Sequence, residues 1–271
     1  MSVIDKKLVI VRGGGDIATG SIQKLYRVGF KVLILEIEKP TSIRRKVSFS
    51  EAIYDNETKI EGISAKFCRS FNELESCWNE KKIPVLIDPE GKSIEKFRPF
   101  AVIDAILAKK NCGTVKEMAP ITIALGPGFV AGKDVDIVIE TMRGHNLGKL
   151  IFEGKSIENT GIPGIINGIG KERVIYSPCS GIVRHNCKIG DMVEKNQVIA
   201  TVDGVDVLAT INGVLRGVIK EGCEVPEKFK IADIDPREQE QANCFTISDK
   251  ARAIGGAVLE AILYLKNKKN I

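Results

Sequence analysis

A segment of this chain maps onto itself at an offset of thirty-two residues. Gly181 maps onto Gly213, Arg184 onto Arg216, Gly190 onto Gly222, Val193 onto Val225, Ile199 onto Ile231, Ala200 onto Ala232 and Asp203 onto Asp235. Matching glycine, hydrophobic and turn positions mean two copies of one β-hairpin unit, each too small to bury its own apolar face. Two such units closing on each other are expected to form a small all-β barrel sandwich.

That architecture is the one used by biotinyl and lipoyl carrier domains. A carrier needs a lysine at the hairpin tip between the repeats, because its amine is acylated. The stretch from Gln197 to Asn212 holds no lysine. The repeat therefore reads as a positioning or docking module, and chemistry is sought in the rest of the chain.

At 271 residues and 44% hydrophobic content, the chain is long enough for one large domain or two medium ones with real cores. The expected fold class is α/β: a Rossmann-like parallel-sheet domain, then the biotinyl/lipoyl-like barrel sandwich, then a C-terminal helix. The expected boundaries are 1–170 for the nucleotide-binding region, 171–240 for the repeat domain and 241–271 for the helix, which packs on the α/β domain or on a homodimer partner. The glycine-rich stretch 161–170 is the linker. Ser248 is the expected cap of the last helix, whose Ala251, Ile254, Gly255, Val258, Leu259, Ile262 and Leu265 form one apolar face.

The formal net charge of +5 is a mild excess that points to no particular partner and does not imply nucleic acid. Seven cysteines, without C-x-x-C spacing, fit reduced cytosolic thiols. Leu8 to Val11 is far too short for a signal or membrane segment, so a soluble cytoplasmic protein without membrane association is expected. Two histidines without a third ligand argue against a zinc site, and no metal is expected.

Leu8 to Val11 reads as a buried strand. It leads through Gly13-Gly14-Gly15-Asp16 into a segment whose Ile17, Ile22, Leu25 and Tyr26 share one helix face. Gly13, Gly15 and Ala18 fit a phosphate-binding strand–turn–helix pattern: the first glycine makes the turn, and the second lets a pyrophosphate approach the backbone. Glu36, near the end of the next strand, stands where a ribose hydroxyl would be bound. A purely structural tight turn is the alternative. Arg44 and Arg45 either clamp a 2′-phosphate or other anion or form a solvated basic turn.

Ile83 to Ile87 and Phe100 to Ile103 read as further strands ending on Asp88 and Asp104, which either face the ligand crevice or cap the helices that follow. Ile121 to Leu125 runs into Gly126-Pro127-Gly128, a second place where backbone can approach an anion. The turn from Glu140 to Gly148 is the densest in chemistry. Arg143 offers a fixed charge, Gly144 lets the backbone bend, and Glu140 and His145 are candidate acid–base groups. A structural Glu140–Arg143 network is the bland alternative.

The runs Val11 to Gly20, Pro40 to Phe49, Val102 to Ala105, Leu125 to Gly128 and Glu140 to Gly148 together resemble the selenium-dependent molybdenum hydroxylase system proteins of the YqeB type, over nearly the whole chain. Those proteins look similar to the XdhC/CoxI maturation proteins. The resemblance implies a maturation factor that binds a nucleotide or molybdopterin dinucleotide, with a molybdenum hydroxylase or cofactor-synthesis proteins as partners. It implies no established catalytic residues. Selenium or sulfur insertion would want an activated thiol, and Cys112, after Lys109 and Lys110, has the most electropositive local sequence. The alternatives are an NAD(P)-dependent oxidoreductase and a non-catalytic adaptor that docks a hydroxylase.

Overall fold

The computed structural model describes residues 5–161 and 164–271; Ile162 and Pro163, within the expected linker, lie outside the described residues. The described chain forms two compact units. The first takes residues 5–40, Ser48–Asn159 and Ile247–Ile271, and the second takes Thr41–Val47 and the described part of Thr160–Thr246.

In the first unit β1 (Asp5–Arg12) leads into α1 (Asp16–Arg27) and β2 (Lys31–Glu36). Then come α2 (Ala52–Asp55), β3 (Glu57–Ile60), β4 (Ile63–Cys68), α3 (Leu74–Asn79), β5 (Ile83–Ile87), α4 (Lys92–Phe97) and β6 (Pro99–Asp104). Strands β7 (Ile121–Leu125), β8 (Ile137–Ile139) and β9 (Leu150–Ile151) follow, and α5 (Asp249–Lys269) returns from the far end of the chain. The nine strands form one sheet in the order β3-β4-β5-β2-β1-β6-β7-β8-β9.

Side-chain alternation along the strands sorts the core into two layers. Val9 and Val11 of β1 face α1 and α5, packing with Ile22, Leu25, Ile254, Val258 and Ile262. Leu8 and Ile10 face the other way, with Leu74, Cys77 and Ile94 from α3 and α4. A strand covered on both faces must be apolar throughout, which is why Leu8 to Val11 is a continuous run. Helix α1 stops where Gly29 turns to φ +92° and the Phe30 amide donates to the Leu25 carbonyl at 3.1 Å, a glycine C-terminal lock.

The expected Rossmann-like parallel sheet followed by a biotinyl/lipoyl-like barrel sandwich is overturned. The large sheet is mixed: β3 pairs antiparallel with β4, and β9 antiparallel with β8. The first of these is a hairpin closed by Glu61 at φ +46° and Gly62 at φ +85°, the two positive-φ residues that a tight two-residue turn requires. No α-helix links β6 to β7 or β7 to β8, so the crossover helices of a doubly wound parallel sheet are missing there. Asp104 accordingly caps no helix.

The second unit holds β10 (Val174–Tyr176), β11 (Gly181–His185), β12 (Met192–Val193), β13 (Val198–Val202), β14 (Val205–Leu208), β15 (Gly213–Val218), β16 (Glu224–Val225) and β17 (Lys230–Asp235). They form two four-stranded antiparallel sheets, β10-β17-β15-β12 and β14-β13-β11-β16. The repeat is visible as an exchange: β11 of the first copy pairs with β16 of the second, and β15 of the second with β12 of the first. Gly181 lies against the Asp203 side chain and Gly213 against the Asp235 carbonyl, so a Cβ at either would collide with the aspartate ending its own repeat. Strands β10 and β14, which lie outside the matched positions, widen each sheet. The product is a pair of antiparallel sheets around one apolar cluster.

Candidate functional site

The carboxyl ends of β1, β2, β6, β7 and β8 gather most of the residues singled out in the sequence. Past Arg12 the chain turns at Gly13, φ +93°, whose amide donates to the Leu35 carbonyl at 2.8 Å. A Cβ on Gly13 would stand 2.9 Å from the Ala105 carbonyl, and one on Gly14 would stand 3.0 Å from Ile34 and 3.1 Å from the Ser50 amide. These two glycines are thus required by packing within the chain. Gly15 is extended and precedes α1, which no side chain caps among the described residues.

Glu36 binds the loop directly. Its Oε1 accepts the Gly14 amide at 2.7 Å and its Oε2 the Ile37 amide at 2.9 Å. Burial pushes its carboxyl above the usual glutamate range, against the lowering effect of those two hydrogen bonds.

Beside the loop, Asp104 and Arg12 form a buried polar network. Arg12 donates to Thr114 Oγ1 at 2.5 Å and to the carbonyls of Pro89 and Cys112 at 2.9 and 3.1 Å. Thr114 in turn donates to Asp104 Oδ2 at 2.6 Å, and Arg12 stands 3.9 Å from the same oxygen. Burial raises the Asp104 carboxyl, opposed by Thr114, the Ile106 amide and Arg12. The network ties residues 105–114 across the strand ends. Asp88 is a cap, accepting the Gly91, Lys92 and Ser93 amides at the start of α4.

The second glycine loop also serves internal packing. A Cβ on Gly126 would meet Thr141 Oγ1 at 2.5 Å, and one on Gly128 the Lys110 backbone at 2.7 Å. Glu140 is buried and staples its own turn, accepting the Met142 amide at 2.7 Å and the Ile157 amide at 2.8 Å. Arg143 bonds Asp249 through two 2.8 Å contacts, so its partner is the first residue of α5 and not Glu140. Gly144, at φ +124°, faces open space. His145 and Cys112 are exposed, and the Cys112 thiol lies 3.8 Å from the Lys110 carbonyl.

Arg44 and Arg45 belong to the second unit. Arg44 donates to the Asn243 and Thr246 carbonyls and Arg45 to that of Val218, contacts that join the 41–47 segment to its own unit.

Lys250 escaped the sequence reading. It is the second residue of α5, after the Ser248 cap that accepts the Ala251 amide at 3.2 Å. Burial pushes its ammonium below the ordinary lysine range. Asp16 opposes that shift, Arg143 adds to it, Glu140 opposes it and Lys109 adds to it. Among the described residues no hydrogen-bond or ion-pair partner is recorded for its amine. One signal in the sequence could have found it: a lysine in the first turn of a helix opposes the helix dipole and asks for a reason.

Among the described residues no group of three or more His, Cys, Asp or Glu side chains could hold a metal ion, and no helix is long and apolar enough to cross a membrane. No protein-family model matches the chain. The chain is 49% identical over 262 residues, 97% of its length, to the uncharacterized protein YqeB of Escherichia coli strain K12. It spans about half, 48%, of the length of that relative. Among solved structures, an aspartoacylase family protein from Mesorhizobium loti aligns with a TM-score of 0.26 and 13% identity over 84% of each chain. The ectoine utilization protein EutE (DoeB) from Ruegeria pomeroyi aligns with a TM-score of 0.25 and 10% identity, over 83% of this chain and 85% of that one. Likenesses this faint say nothing about chemistry in this chain.

Proposed function

We propose that this chain binds a nucleotide or a molybdopterin-type dinucleotide and acts as a maturation factor for selenium-dependent molybdenum hydroxylases, with a hydroxylase or a cofactor-synthesis protein as partner. The observation that carries the binding half is the junction of the Gly13 to Gly15 loop with the start of α1, which no side chain caps among the described residues and where the Gly14 amide donates to Glu36. The maturation half rests on the sequence likeness to the YqeB type, and the relative of that name is itself uncharacterized.

The residues fit such a ligand chemically. A dinucleotide, when bound, supplies a pyrophosphate and ribose hydroxyls. The first-turn amides of α1 suit the anion, and Glu36 keeps acceptor capacity for a hydroxyl because an ionised carboxylate offers about four lone-pair sites. Gly15, extended and half-buried, carries the loop into the helix start. The buried Arg12, Thr114 and Asp104 network holds the neighbouring loop in place.

Native mass spectrometry of freshly purified protein tests the reading. A co-purifying nucleotide or molybdopterin species of defined mass is expected. Protein that carries none and binds none on titration contradicts it. The position of Glu36 suits the ribose of a nicotinamide dinucleotide too, and tight binding of reduced NAD(P) with turnover of a small substrate would instead make the chain an oxidoreductase.

A further inference from the structure

We infer that the open edge of the nine-stranded sheet, β9 together with the surface of α5 beside it, is the contact between two copies of this chain, related by a two-fold axis that passes beside Ile151 and Tyr264. The inference does not depend on the nucleotide reading.

The edge is the first reason. β9 ends the sheet and pairs on one side only, with Val138 opposite Ile151 and Ile139 opposite Leu150. An open edge is a template for another strand, and sheets that stay single blunt theirs with charge. The far edge does so: Glu57 of β3 is held by Lys82 at 2.7 Å, and Lys59 on the same strand is exposed. β9 instead leads from Leu150 and Ile151 straight into Phe152. Phe152 is 45% exposed and Tyr264 of α5 is 42% exposed, although their rings stack with centroids 4.9 Å apart. The apolar patch therefore spans the strand layer and the helix layer together. A cavity of about 440 Å³ beside it is lined by Lys149, Ile151, Phe152, Glu153 and Ile157 among others, which leaves room for side chains of a second strand.

Charge says which partner fits. The edge reads Lys149-Leu150-Ile151-Phe152-Glu153, a cation and an anion placed evenly about Ile151. On α5, Glu260, Tyr264 and Lys268 follow one another at four-residue intervals along one row of the helix, an anion and a cation placed evenly about Tyr264. All four charged side chains are exposed, and among the described residues no ion pair is recorded for any of them. A two-fold axis reverses direction. It brings each copy's Lys149 to the partner's Glu153 and each copy's Glu260 to the partner's Lys268, with Phe152 and Tyr264 meeting their equivalents near the axis. A patch that carries both halves of every contact is what an isologous interface requires. The two β9 strands then run antiparallel and can share their unpaired backbone groups. An unrelated partner would have to match the strand pattern and the helix pattern separately, whereas a second copy matches both at once.

The test is analytical sedimentation of the full chain as wild type, Lys149→Glu, Glu153→Lys and the double reversal, with circular dichroism to confirm that each is folded. The wild type is expected to be a dimer. Either single reversal sets like charges together at both symmetric contacts and should weaken the dimer about tenfold. The double reversal restores opposite charges and should return the affinity to near that of the wild type. Glu260→Lys and its rescue by Lys268→Glu read the second contact in the same way, and they decide the matter should an edge variant fail to fold. A monomeric wild type overturns the inference. So does a dimer indifferent to the single reversals, or one that the double reversals leave as weak as the single ones.

Discussion

Gly20 of α1 and Gly255 of α5 meet so closely that a Cβ on Gly255 would stand 2.4 Å from the Gly20 carbonyl oxygen. The contact sets how near the starts of the two helices come to the glycine loop. Gly20→Ala or Gly255→Ala should force the helices apart and cost about 1–3 kcal/mol or more. Gly256→Ala, one residue on, meets nothing within 4 Å and should stabilise by about 0.5–1 kcal/mol through helix propensity. Urea midpoints of the three variants check the contrast, and equal effects at Gly255 and Gly256 would contradict the close crossing.

Arg12 joins two strand-end loops, one through Pro89 after β5 and the other through Cys112 and Thr114 after β6. Arg12→Met leaves Thr114 Oγ1 and two carbonyls without their donor and buried Asp104 without its neighbouring cation, and a loss of about 3–5 kcal/mol is expected. Thr114→Val breaks one bridge and should cost about 1–3 kcal/mol. Chemical denaturation measures both; an Arg12→Met variant as stable as the wild type would mean that the network contributes nothing to holding the loop.

Glu36 titrates above its ordinary range because it is buried. A raised carboxyl pKa means that the folded state binds its proton more tightly than the unfolded state. That contribution to stability is full below the ordinary glutamate pKa and is lost as pH rises through the raised folded value. Glu36→Gln has no such step. The stability of wild type minus variant should therefore fall as pH is raised from about 4 to 7, read from urea midpoints across that range. A difference that is flat with pH would refute the buried carboxylate.

Arg143 and Asp249 form a bidentate pair with both side chains largely exposed, 41% and 73%. Its contribution should be small, about 0–1 kcal/mol, and should shrink further in salt. Arg143→Ala melts at low and high ionic strength test this. A loss of several kcal/mol would show that the turn from Glu140 to Gly148 depends on the pair for its fold.

The parts of the fold that could be read in advance are those whose signal is local. Leu8 to Val11, Ile83 to Leu86, Phe100 to Ile103 and Ile121 to Leu125 are apolar without interruption because both of their faces are covered, and the Ser248 cap follows from its position before an apolar stripe. Strand direction at the sheet edges is not local. Residues 57–68 alternate weakly and are partly exposed, so their hairpin is marked only by Glu61-Gly62. The repeat is legible as self-similarity at an offset of thirty-two residues, but its closure depends on the exchange of β12 and β16 between copies, which spacing does not encode. At the candidate site, the glycine loop and Glu36 lie close together in sequence, and the Gly14 amide donates to Glu36. The start of α5 lies more than two hundred residues further along the chain, and only its return onto α1 brings Ala251 against Gly20.

The most direct test of the central claim is hydrogen exchange at backbone amides with and without saturating ADP. Slowed exchange confined to residues 14–19 and 249–253 is the predicted result, since the ligand would cover the start of α1 and rigidify the adjoining start of α5. Protection absent from those two segments, or found only in the second unit, would contradict it.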